Sequence, residues 1–319
     1  MLGAPAEAAM TIACATHFTD SSNEAVHVAA KLAKRTGQRL VIATVLPALQ
    51  FTDALGGRRE ADVTTKLEAT ALPLRGEGVE VDTLVLHGAL DTALSRLCDV
   101  TSAQLLLVGD STHRPFSSFF GTPADRLAYE LSVPMLMVRS ARPFDAWAAG
   151  EGPLKVMLAI DHTWSSAVAR DWIERLAAYG PIDLVATHVW SPDEEYTRRG
   201  LKTSSNPADH EGLAAELRNE TEAALRILPS NVKHRIHLEL GRGHIAQRLV
   251  DVAAAERVDL VVLGTHPQQG LVGLLSSVSH EVLNKALMSV AFIPEKSGSK
   301  EFARPPPELV SRKSRSAHP

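Results

Sequence analysis

Short apolar runs rich in Val, Ile and Leu alternate along the chain with longer stretches of helical period. In the first half the runs are Thr11 to Ala15, Leu40 to Leu46, Val79 to Val85, Leu105 to Val108 and Met135 to Val138. The second half has Val156 to Ile160, Ile182 to Val189, Arg235 to Leu240, Leu260 to Leu263 and Val290 to Ile293. Runs this short and this continuously apolar predict strands covered on both faces by crossover helices. Between them, Leu90, Ala93, Leu94, Leu97 and Cys98 fall at helical spacing, as do Ile245, Leu249, Val250 and Ala253, and also Ala124, Leu127, Ala128 and Leu131. Ser21 and Glu24 have capping-box spacing ahead of the first helix. Strand then helix, five times in each half, predicts an α/β fold of two tandem, open-twisted, five-stranded parallel sheets with helices on both faces.

The halves are copies of one plan. An offset of 144 maps Ala15 onto Ala159, Ser21 onto Ser165 and Val45 onto Val189, and a later offset of 155 maps Gly109 onto Gly264. The second copy therefore carries an insertion of eleven residues, around the polar segment Ser191 to Asp209. These patterns predict a first domain over 1–140, a linker over 141–153, a second domain over 154–296 and a disordered, Pro- and Arg-rich tail over 297–319.

Composition narrows the function classes. The 319 residues suit two domains, 45% are hydrophobic and the formal net charge is −4, so no global field draws the chain to nucleic acid or anionic lipid. No apolar run reaches membrane-spanning length and Met1 to Met10 lacks the basic start of a leader, so a cytoplasmic protein with no membrane partner is expected. Cys14 and Cys98 lie outside any ligand spacing and are expected to be buried, reduced thiols.

In an open parallel sheet, the ligand crevice lies beyond the carboxyl ends of the strands where the strand order reverses. In the second copy this directs attention to Asp161 after its first strand, His188 and Val189 closing its second, and Gly264 onward after its fourth. The segment from Leu260 to Leu283, LVVLGTHPQQGLVGLLSSVSHEVL, stops a strand at Gly264, continues through Gly270 and Gly273, and starts a helix near Ser276 or Ser277. Small residues let backbone approach a ligand, and the free N–H groups of a helix start, with serine hydroxyls, favour an anion.

That segment resembles the signature of the universal stress protein family. Asp161 after KVMLAI, His188-Val189 closing the second strand, and Gly241 before the helix leading to VDLVVLG resemble the same family, and the likeness covers the chain twice up to about Glu295. The resemblance implies an adenine nucleotide alpha hydrolase-like fold with strand order 3-2-1-4-5, in which the edge of the fifth strand pairs domains or subunits, giving intramolecular pairing or a homodimer. It further implies a non-catalytic stress-response protein, with ATP or a related nucleotide as the candidate ligand of the second domain. The residues implicated by position are Asp161, Val189, Gly264, Thr265, Gly270, Gly273, Ser276, Ser277 and Val278. In the first domain only Gly109, Gly121 and Thr122 correspond. Departures from the signature are Pro267 at its second glycine, Ser276 at its closing glycine and a loop one residue short; in the first copy His17 replaces the Asp, Asp110 follows Gly109, and Pro123 stands where Val is usual. Proline removes a backbone donor and fixes φ near −65°.

Rival motifs are weaker. Gly241, Gly243 and Ala246 spell GxGxxA, but after the third strand of a unit, where tight strand-to-helix packing is the expected role. No GxxxxGK[ST] loop or GxSxG elbow occurs. His234 and His237, three apart on one strand, point to opposite faces, so no metal site is assigned. Two alternatives stay open: a nucleotide-independent scaffold acting through an unidentified protein partner, and a slow nucleotide hydrolase.

Overall fold

The computed structural model describes residues 11–47, 54–110, 127–128, 130–241, 244–265 and 277–297. The first half runs β1 (Thr11–Ala15), α1 (Asp20–Thr36), β2 (Arg39–Leu46), α2 (Ala54–Gly76), β3 (Val81–His87), α3 (Leu90–Thr101), β4 (Ala103–Gly109) and β5 (Met135–Val138). After α4 (Arg142–Ala148), the second half runs β6 (Leu154–Ala159), α5 (Trp164–Ala177), β7 (Ile182–Trp190), α6 (Pro192–Arg198), α7 (Pro207–Leu225) and β8 (Val232–Leu240). It closes with α8 (Ile245–Ala255), β9 (Leu260–Thr265), α9 (Ser277–Lys285) and β10 (Ser289–Pro294).

All ten strands lie in one sheet ordered β3-β2-β1-β4-β5-β10-β9-β6-β7-β8. Each half has the expected order 3-2-1-4-5, and the two five-stranded units meet edge to edge. The seam is the sheet's antiparallel step, with Val290 opposite Met137, Ala291 opposite Leu136 and Phe292 opposite Met135. Every residue of β5 and β10 is buried. The fifth-strand edge, which would otherwise present unpaired N–H and C=O groups, is thus satisfied within one chain.

Successive strand residues face opposite sides, and the core divides accordingly. Ile12, Leu40, Leu107, Val156, Leu184 and Ile293 share one face with α1, α4 and α5. Ala13, Val41, Leu106, Met157, Val185 and Phe292 share the other with α3, α8 and α9. Both layers run unbroken across the seam.

The predicted linker is a structural element. Phe144 and Trp147 of α4 are each 1% exposed, and Trp147 Nε1 donates to the Pro181 carbonyl at 2.8 Å. Asp145 pairs with His27 of α1 at 2.6 Å, and Arg35 donates to the Ala148 carbonyl, so α4 grips both halves. The capping box of α1 also differs from expectation: Thr19 and Ser22 form it, two residues earlier than Ser21 and Glu24. Glu24 instead accepts from the backbone N–H of Ala141, at the start of α4. Thr19 wins because it is the last extended residue, and an N-cap side chain must precede the helical dihedrals.

Arg139 locks the seam. It is 10% exposed, pairs with Asp110 at 2.9 Å, and donates to the carbonyls of Leu283, Ala286 and Met288. A first-half cation thereby caps the C-terminus of the second half's last helix, where carbonyls lack helical partners. Among the described residues no helix is long and apolar enough to cross a membrane.

Candidate functional site

The chain proceeds from β6 to β7 and β8 on one side, then returns to β9 on the other. The connections diverge beyond the ends of β6 and β9, the place where a ligand crevice is expected in a sheet of this order. Asp161 is exposed, just past β6. Its Oδ1 accepts from the N–H and hydroxyl of Thr163 at 2.8 and 2.5 Å, and its own N–H donates to the buried Ser166 hydroxyl at 3.0 Å. Thr163 is the N-cap of α5. One carboxylate oxygen is therefore fixed by the cap, and among the described residues Oδ2 makes no hydrogen bond.

Val189 contributes backbone. The Thr187 carbonyl accepts from Ile160, and the ladder between β6 and β7 ends at Ala159 and Thr187. Two residues on, the N–H and C=O of Val189 turn to the same side, past the end of β6. Its side chain packs against Gly241, where an added Cβ would stand 2.3 Å from Val189 Cγ1. Packing accounts for Gly241, though against the neighbouring strand β7 rather than between strand and helix as expected.

Gly264 has a similar explanation. A Cβ there would lie 2.1 Å from the Ser165 carbonyl oxygen, so the glycine lets the first turn of α5 rest on β9. Gly109 is its counterpart, with the Ser21 carbonyl at 2.3 Å. The repeat offsets had paired Gly109 with Gly264 and Ser21 with Ser165, and in each half the structure sets the glycine against the serine. Thr265 is buried at the end of β9, Val278 packs against the core, and Ser277 begins α9. Gly270, Gly273, Ser276 and Pro267, like Gly121, Thr122, Pro123 and Gly243, lie outside the described residues.

In the first half, His17 stands where Asp161 would, and its Nε2 meets the Thr19 hydroxyl at 2.9 Å. Asp110 is held by Arg139. Neither position offers the fixed, open carboxylate found in the second half.

A constellation that spacing alone does not reveal lies beside Asp161. His162, His188 and Glu195 bring one nitrogen or oxygen each within 4.8 Å of one another. The two imidazoles meet edge to face at 5.0 Å, and His162 Nε2 is 3.4 Å from Glu195 Oε1. Burial, then the neighbouring His162, pushes the pKa of His188 down to about 4. Burial, then Arg198, also lowers that of His162. For Glu195, burial acts upward, but the hydrogen bond and charge of Arg198 outweigh it and hold the carboxyl below its ordinary value. The sequence signal for this group was absent because His188 reaches it from a strand, Glu195 from the insertion and His162 from a loop. His234 and His237 do separate to opposite faces, towards Glu222 of α7 and Glu239. Nearby, Trp190, Pro192, His210, Ala214, Gly241 and Arg248 border a cleft of about 530 Å³.

The sequence model of the Universal stress protein family matches residues 9–139 and 154–294. The chain belongs to the universal stress protein family. It carries two tandem family domains, one in each half of the ten-stranded sheet. A universal stress protein of Mycolicibacterium smegmatis (strain ATCC 700084 / mc(2)155) is 29% identical over 194 residues, which cover 60% of this chain and 62% of that relative. Among solved structures, a universal stress protein from Archaeoglobus fulgidus DSM 4304 superposes with a TM-score of 0.65 at 13% identity, covering 89% of this chain and 98% of its own. One from Pseudomonas aeruginosa UCBPP-PA14 gives 0.60 at 17% identity, covering 90% and 94%. At these identities the structures speak to fold alone.

Proposed function

We propose that this tandem universal stress protein acts by binding rather than catalysis, and that the crevice of its second half receives an adenine nucleotide such as ATP. The observation that carries this reading is the Asp161 carboxylate. The α5 cap fixes one of its oxygens and leaves the other open at the strand-order reversal, suited to accept hydroxyl hydrogen bonds from a ribose. Val189 supplies backbone groups at the adjoining strand end, where a base edge can pair with peptide N–H and C=O. Asp161 is the acid at this point of the crevice, and it is spent on orientation, so rapid phosphate release is not expected.

The proposal confines binding to one site per chain, because His17 and the Arg139-bound Asp110 occupy the matching first-half positions. At a nucleotide concentration of a hundred times Kd, binding stabilises the fold by about 2.7 kcal/mol. For a chain of this length that corresponds to a rise in Tm of about 4 °C. Asp161→Ala is expected to abolish the rise, and an unchanged shift rejects the site. Mass spectrometry of small molecules released from the purified protein identifies the ligand. No calorimetric signal with ATP, ADP or AMP at millimolar concentration supports instead a scaffold working through protein contacts.

A further inference from the structure

We propose that His162, His188 and Glu195 form a binding site for one divalent transition-metal ion of the Zn²⁺ class, with a fourth coordination position left open to water or a small ligand. The inference stands apart from the nucleotide reading and uses different side chains. Two imidazoles and one carboxylate are a donor set suited to Zn²⁺, harder than thiolate sites and softer than the all-oxygen sites of Mg²⁺ or Ca²⁺.

Geometry supports it. Ligand atoms bound at about 2.0–2.1 Å at tetrahedral angles lie about 3.4 Å apart. His162 Nε2 and Glu195 Oε1 already stand at 3.4 Å, and all three ligand atoms fall within 4.8 Å. His162, 30% exposed at its side chain, has room to turn towards the other two.

The surrounding groups have the character of a support for metal ligands. Glu195 Oε2 takes two hydrogen bonds from Arg198, at 2.9 and 2.7 Å, which leaves Oε1 turned to His162. Glu220 Oε2 lies 3.9 Å from His162 Nδ1, a second carboxylate close to the imidazole though beyond hydrogen-bond distance. Arg199 binds Glu216 and Glu220, at 2.7 and 2.8 Å, and so anchors α6 on α7. Asp161, Glu195, Glu216 and Glu220 outnumber the two guanidiniums, so the local field favours a cation. His188 is 4% exposed, and its imidazole packs edge to face against that of His162 at 5.0 Å.

The site belongs to the second half alone. The repeat offset maps His162 onto Phe18 and His188 onto Thr44, and Glu195 lies within the inserted segment. The insertion thus has a role: α6 carries the third ligand to the end of β7.

The test uses the full chain, stripped with a chelator and dialysed against Zn²⁺. One equivalent of tightly held Zn²⁺ by elemental analysis is expected, with a rise in Tm that the chelator reverses. Co²⁺ in its place is expected to show the intense visible bands of a tetrahedral site, a measurement that needs no variant. His162→Ala and Glu195→Gln are each expected to weaken Zn²⁺ binding at least about tenfold, whereas His237→Ala leaves it unchanged. Less than stoichiometric Zn²⁺, octahedral Co²⁺ spectra, or binding indifferent to both His162→Ala and Glu195→Gln would overturn the proposal. Retention of the nucleotide-induced Tm shift by His162→Ala separates the fate of this site from that of the Asp161 crevice.

Discussion

Replacing Arg139 tests whether the two domains behave as one folding unit. The side chain is 10% exposed and Asp110 is 12% exposed, so solvent screens their pairing only weakly. Arg139→Met keeps most of the aliphatic stem but leaves the Asp110 carboxylate without its guanidinium. It also strips donors from three carbonyls at the C-terminus of α9. Breaking a buried ion pair by removing one partner costs about 3–5 kcal/mol. At about 2.1 cal/mol/K per residue, a chain of this length loses about 4–7 °C of Tm. Asp110→Asn costs less, since an amide can still accept from Arg139. The double variant is expected to fall short of the sum of the singles by at least about 1 kcal/mol, because both single changes weaken the same Arg139–Asp110 contact. Denaturant and thermal melts followed by circular dichroism on the four proteins close the cycle. A drop below about 1 °C for Arg139→Met, or strict additivity in the double variant, refutes the view that this pair locks the seam.

Gly264→Ala is expected to destabilise by about 1–3 kcal/mol, since its Cβ would meet the Ser165 carbonyl at 2.1 Å and backbone on both sides must shift. Gly212→Ala, in α7 with open space around it, is the control and is expected to stabilise by about 0.5–1 kcal/mol; equal melting temperatures for the two would refute the contact. Burial raises the pKa of Asp259 above its ordinary value, against the backbone N–H of Lys155 that donates to it. Its protonated form is therefore favoured by folding, so its contribution is present at acid pH and lost as pH rises through the folded value. Asp259→Asn is expected to gain Tm relative to the parent as pH is raised from about 4 to about 7, and a pH-independent difference contradicts the assignment. Burial pushes the Cys98 thiol up to about 12, and that of Cys14 higher still. Ellman's reagent at mildly alkaline pH is expected to label neither in the native protein and both after denaturation.

Much of the fold was legible because it is local or periodic. Buried parallel strands must be apolar on both faces, so β1, β2, β4, β5, β7 and their counterparts stand out as short Val, Ile and Leu runs, and duplication confirmed each against its partner. Edge strands β3 and β8 were placed less accurately, because one-sided burial leaves alternating polar residues with weaker limits. The capping register of α1 was missed by two residues, since Ser21 and Thr19 are chemically equivalent caps and only the backbone dihedrals choose between them.

The sequence by itself determined that there are two copies of a strand–helix unit, and which glycines correspond. Those follow from periodicity and from spacing within one copy. Only the tertiary structure decided that the copies share one sheet through β5 and β10, that α4 and Arg139 bind them together, and that Gly264 is needed by Ser165. It alone brought His162, His188 and Glu195 into one cluster. The reason is physical: contacts across a sheet seam, or among a loop, a strand and an inserted helix, depend on where separate elements pack. No period along a single chain records that.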